Sequence, residues 1–146
     1  MKRFEFSLNK LLNYKQQVLK REKNDLANLR KQQQLAIDEK KQLIQKLKDA
    51  DDEFVLTSNK GMSAQHMVLA KSYINSISEQ IRSLDRLIHI LESQIEKQLG
   101  VVVEATKEVS SLEKLEEKQL EDYKKAVQKA EETFIGEYVS NSQFYK

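Results

Sequence analysis

From residue 67 onward an apolar side chain returns every seven positions: Met67, Ile74, Ile81, Ile88, Ile95, Val102 and Val109. A second line starts three residues later and runs Ala70, Ile77, Leu84, Leu91, Gln98, Ala105 and Leu112, with Gln98 its one polar member. Apolar residues at alternating three- and four-residue steps fall on one stripe of an α-helix and make the seam of a coiled coil. A strand would alternate at every second residue, which this stretch does not do. A helix with such a stripe needs something to cover it.

The first half of the chain supplies the cover. One line there is Leu12, Leu19, Leu26, Gln33, Lys40, Leu47 and Phe54; the other is Leu8, Lys15, Glu22, Leu29, Ala36, Leu43 and Ala50. Lys15, Glu22, Gln33 and Lys40 loosen this seam, although long side chains can lay their stems along it and keep their heads in water. Between the two seams lies SNKGMS. Asn59 and Gly61 stop a helix, because glycine accepts the left-handed conformation without a Cβ clash, and Ser63 is a suitable N-cap for the next helix. With no proline and three glycines in 146 residues, the chain has few other places to turn. The expectation is a single all-α domain over residues 1–146: a long antiparallel two-helix coiled-coil hairpin with helix 1 at about 5–58, a turn at about 59–62 (near Asn59–Ser63), helix 2 at about 63–138 and a frayed tail at 139–146.

Charge supports that orientation. With the turn centred near Gly61, residue i faces about residue 122 − i. Residues 1–31 contain nine bases and three acids, whereas the facing residues 91–121 contain eight acids and four bases. Exposed ion pairs contribute only ~0–1 kcal/mol each, so they set register more than stability. The arms are unequal, about 80 Å against about 110 Å at the helical rise. Past Leu112 the seam changes phase, and Leu120, Tyr123, Val127, Ala130 and Phe134 continue out of register. From about residue 118, near the end of helix 1's reach, helix 2 becomes an overhang. Its stripe of Leu120, Tyr123, Val127 and Phe134 is expected to have no partner in the hairpin and reads either as a binding surface or as part of a frayed, partly disordered tail.

Several function classes find no support. There is no cysteine, and His66 and His89 have no second ligand at metal spacing, so no metal site or thiol chemistry is expected. His66 reads as a polar first-turn residue and His89 as a wet flank of the seam. The acids of DADDE (49–53) lack the loop glycine of a calcium site and read as a solvated face. No phosphate loop or nucleophile–base motif occurs, so neither an enzyme nor a bound cofactor is expected. The net charge of +2 gives no strong field for nucleic acid or membrane. The basic 2–31 segment lacks interleaved stacking aromatics, which disfavours nucleic-acid binding. No run reaches the ~18 apolar residues of a membrane span. The opening MKRFEFSLNKLLNYK has no apolar core and does not read as a signal peptide.

The segment FEFSLNKLLNYKQQVLKREKNDLA (4–27) resembles the start of the FliJ family, small coiled-coil proteins of the bacterial flagellar type III export apparatus. Phe4, Phe6, Leu8, Leu11 and Leu12 carry the aromatic-x-aromatic-x-Leu opening and the Leu-Leu pair. The turn region 61–81 and the closing LEKLEEKQLEDYKKAVQKAEETFIGEYV (112–139) are also similar to the family. The resemblance implies a non-enzymatic hairpin like the central-stalk γ subunit of rotary ATPases. It would be cytoplasmic, peripherally associated with the flagellar basal body at the inner membrane, with no direct membrane insertion. The implied partners are a FliI-like hexameric export ATPase, whose assembly and activity it would promote, an FlhA-like export-gate protein, and export chaperones. The implied gate contacts are Phe54, Tyr73, Ile77 and Leu84. Ile77 and Leu84 are also seam residues, and Gln80 stands where the family pattern has alanine. For the ATPase, the terminal end would offer Phe4, Phe6, Leu8, Leu120, Tyr123 and Phe134, with Lys10, Lys15 and Arg21 for charge. The alternative is a generic scaffolding coiled coil, perhaps one that pairs two hairpins.

Overall fold

A computed structural model describes residues 2–144. Two α-helices, α1 (Asn9–Lys60) and α2 (Ala64–Phe144), pack as an antiparallel hairpin, with no strand among the described residues. The turn between them is three residues. Gly61 has φ +99°, and its N–H donates to the Ser58 carbonyl at 3.2 Å. Ser63 then caps α2: its hydroxyl oxygen accepts the His66 N–H at 3.1 Å, and its carbonyl accepts the Met67 N–H at 3.0 Å. These are the glycine stop and serine start that the sequence led one to expect.

Tertiary contacts divide into two compact units. One takes in the chain up to Glu22 and from Val102 on; the other is Lys23–Val101. In the Lys23–Val101 unit the buried core is Leu26, Ala36, Leu43, Ile77 and Leu91, all seam positions. The polar seam residue Lys40 forms an ion pair with Asp85 across the helices. At the turn end, Lys71 Nζ sits 5.0 Å from the centre of the Phe54 ring. Both pairs put residue i opposite 125 − i, not 122 − i. The cause is local: α1 continues through Asn59 and Lys60, so the midpoint of the turn lies beyond Gly61.

In the other unit Phe6, Leu12, Val102, Ala105 and Val109 are buried. Lys15 Nζ reaches Glu108 at 2.8 Å, and Gln16 Nε2 donates to Glu113 at 3.5 Å. Here α1 starts at Asn9, later than the expected residue 5. Residues 2–6 instead form a non-helical strap. Phe4 and Phe6 share a side at period two, and both rings turn to α2. The Asn9 N–H bonds the Phe6 carbonyl at 3.1 Å, and the Leu12 N–H bonds the Leu8 carbonyl at 2.8 Å, where the helix takes over. At the other terminus α2 continues past 138. Residues 139–144 of the expected frayed tail are helical; 145 and 146 lie outside the described residues.

No atom lies within 4 Å of a Cβ added at Gly61, so an alanine there meets only backbone strain, worth about 1 kcal/mol or slightly more. Gly61→Ala should therefore lower the thermal midpoint by roughly 3 °C without changing helical content, as read by circular dichroism.

Candidate partner-binding sites

Two stretches present apolar side chains that the seam leaves partly uncovered. The first is the turn end of the Lys23–Val101 unit. Phe54 ends one seam line of α1, and Tyr73 stands beside seam residue Ile74 on α2. Phe54 is half-buried, whereas Tyr73 is 54% exposed. The hairpin brings both to one shallow cleft of about 190 Å³, also lined by Glu53, Met62, His66 and Ile74. The volume suits one large apolar side chain, since a cavity of ~150 Å³ accepts benzene. Met62 and His66 were not expected here. They join because the turn folds them over the Phe54 ring's side of α1, which periodicity alone does not reveal.

The other two expected gate residues behave differently. Ile77 is 3% exposed and belongs to the core, so it cannot be a surface contact. Its a/d position had already placed it in the seam. Leu84 is half-buried and lines a separate groove with Glu39, Leu43 and Ser83. Gln80 lines the same groove, and its amide lies 3.5 Å from the Ser76 hydroxyl.

The second stretch is in the unit formed by the two chain ends. Phe6, expected to contact a partner, is 8% exposed and packs with Leu12 and Val109, against which Phe4, Leu19, Leu112 and Leu115 also rest. Phe4 is half-buried; its ring centre is 5.5 Å from that of Tyr123 at a tilt of 46°, a favoured aromatic geometry. The Tyr123 hydroxyl donates to the Lys2 carbonyl at 2.5 Å. Tyr123 therefore does not lie on an unpartnered overhang, and the half-buried Leu120 shares this stretch of α2. The reason is that the strap, which the sequence reading took as helix, reaches further along α2 than a helix of the same residues: ~3.3 Å per residue against 1.5 Å.

Beyond Tyr123, Val127 is still half-buried, and the stripe lies exposed from Ala130 on. Phe134 and Tyr138 are each 69% exposed, and Ile135 is 60% exposed. Val127, Ala130, Glu131, Phe134 and Ile135 line one surface crease. Of the other terminal residues, Leu8 and Lys10 are exposed, and Arg21 is exposed with its guanidinium 3.6 Å from Glu22. Lys15 is engaged with Glu108, whose hydrogen bond and charge raise the lysine pKa above its usual value. Among the described residues no group of acids, histidines and cysteines is placed to hold a metal ion, and no helix is long and apolar enough to cross a membrane. His89 points outward, 3.7 Å from Glu92.

The exposed terminal stripe and the aromatic cleft beside the turn sit on a chain whose residues 4–144 match a family model described as Flagellar FliJ protein. The chain belongs to the FliJ family. No curated protein and no solved structure matches it significantly. Membership assigns this FliJ chain to flagellar export as a structural component rather than an enzyme.

Phe6→Ala removes the one buried aromatic of the strap and should cost about 3 kcal/mol, seen as a lower midpoint in chemical denaturation. The Lys15–Glu108 contact favours protonated Lys15 in the fold. Its contribution is fully present below the usual lysine range and is lost as pH rises through the raised pKa of the folded state. Lys15→Met should therefore reduce the loss of stability on titration into strong alkali and leave the neutral-pH profile flat.

Proposed function

We propose that this FliJ chain is a coupling hairpin of the flagellar type III export apparatus. Its turn end contacts an FlhA-like export gate, and its terminal end contacts a FliI-like hexameric ATPase. The observation that carries the reading is the convergence of Phe54 and Tyr73, 19 residues apart in sequence, in one cleft beside the turn. A half-buried ring next to an exposed one is the arrangement of an interface anchor, and aromatic anchors supply much of the energy of protein contacts. Leu84 is a secondary candidate for the gate, while Ile77 supports the helix beneath.

For the ATPase, Phe134 leads an exposed stripe, with Leu8, Lys10 and Arg21 on the same unit. Leu120, Tyr123 and Phe4 lie next to it, and Phe6 holds their positions. A stiff, asymmetric object in a ring touches its subunits unequally. Such a contact would promote assembly of the hexamer and its ATP turnover. The same surfaces would serve emptied export chaperones. This places the chain in the cytoplasm, peripherally at the basal body, with protein partners only.

Tyr73→Ser should weaken capture of the gate's cytoplasmic domain at least tenfold with helicity unchanged; undiminished capture would remove Tyr73 from the gate contact. Phe134→Ser should weaken stimulation of ATP hydrolysis by the purified ATPase. Ile77→Ala serves as the contrast and should lower stability by about 2–4 kcal/mol.

A further inference from the structure

One apolar stripe runs through the last part of α2. Leu120, Tyr123, Val127, Ala130, Phe134 and Tyr138 follow at three- and four-residue steps, so they share one face. Exposure rises along it. Leu120, Tyr123 and Val127 are half-buried, Ala130 is exposed, and Phe134 and Tyr138 are 69% exposed. The strap covers the first part, where the Lys2 carbonyl accepts the Tyr123 hydroxyl and the Phe4 ring lies against the Tyr123 ring. The strap thus acts as a ligand already seated on the first part of the stripe. It shows what the stripe takes: aromatic side chains delivered by a segment lying along α2.

The outer half of the strap is held less firmly than the inner half. Residues 2–6 have no helical hydrogen bonds, Lys2 and Arg3 are exposed, and Phe4 packs against the Phe6 cluster but stays half-buried. Segments with few buried contacts open at low cost. The inner anchor, Phe6, is 8% exposed and can stay in place when Phe4 leaves.

We propose that the outer strap, Lys2–Phe4, is an internal competitor for the α2 stripe: it occupies Tyr123 until an aromatic-bearing segment of the export ATPase, docking on Val127–Tyr138, displaces it and extends the contact back to Tyr123. The identity of the partner rests on the ATPase reading above; the competition rests on the Phe4–Tyr123 geometry. When a competent state is only partly populated, the apparent Kd is the intrinsic one divided by the open fraction. Loosening the strap therefore tightens binding.

The test titrates the purified hexameric ATPase with the full chain and its variants. Phe4→Ala should lower Kd by roughly three- to tenfold. Tyr123→Phe, which keeps the ring and removes only the bond to Lys2, should lower it by less. Phe134→Ser should raise it. If Phe4→Ala raises Kd or leaves it unchanged while Phe134→Ser still raises it, the competition is wrong and the ATPase reading stands. If the wild-type chain does not bind, or Phe134→Ser is neutral, the ATPase reading falls and this proposal falls with it. Hydrogen exchange of the unmutated chain gives a second decision that needs no variant to fold. Amides of residues 3–5 should exchange faster in the complex than in the free chain; slower or unchanged exchange there overturns the proposal.

Discussion

Burial of one apolar stripe by another is the interaction on which the molecule depends. Two helices have no second layer to fall back on, and each exposes most of its circumference to water. Every buried residue outside the strap is a seam residue: Leu12, Leu26, Ala36, Leu43, Ile77, Leu91, Val102, Ala105 and Val109. The backbone gains its hydrogen bonds within each helix, so the seam does not need to satisfy polar groups and can be almost purely apolar. Where it is not, as at Lys15 and Lys40, the amine reaches an acid on the facing helix and remains partly in water. Register is fixed there at little cost, because neither charge is taken out of solvent.

Most of this architecture was legible in the sequence because a coiled coil writes its contacts at a fixed period. All seam positions from Ala70 to Leu112 are buried or half-buried, including Gln98, the exception on its line. The turn was readable because glycine and serine each have one physical reason to be there. What periodicity missed was the strap. Phe4 and Phe6 fit a helical opening loosely and an extended segment well, but a two-residue alternation is too short to decide between them. Only the presence of the α2 face beneath resolves it. The same limitation explains why Tyr123 was expected in the open and why pairs in the Lys23–Val101 unit fall at 125 − i rather than 122 − i. Both follow from where α1 begins and ends, and element boundaries depend on tertiary contacts more than on pattern.

The two candidate surfaces arise in different ways. At the turn, residues in and beside the seam come together because the chain reverses: Phe54 meets Met62, His66 and Tyr73 only in a hairpin. Along the end of α2, by contrast, the surface is the seam itself after its partner has stopped. The first was visible in sequence as a scatter of apolar residues around a glycine. The second was visible as a stripe, but its starting point was hidden by the strap. The acids at 49–53 remain what composition suggested, a solvated face, with Asp49 accepting a bond from Gln45 at 2.9 Å.

The two seams are not equals. The line on α2 is rich in isoleucine and valine, while that on α1 is broken by Lys15, Glu22, Gln33 and Lys40. This asymmetry bears on how the protein is made. A ribosome releases α1 first, and half-finished chains from one messenger crowd together with their first helices complete. A seam interrupted by charge pairs poorly with copies of itself, which disfavours pairing between nascent first helices. The strongly apolar line emerges last, after Gly61, when its intended cover is already tethered a few residues away.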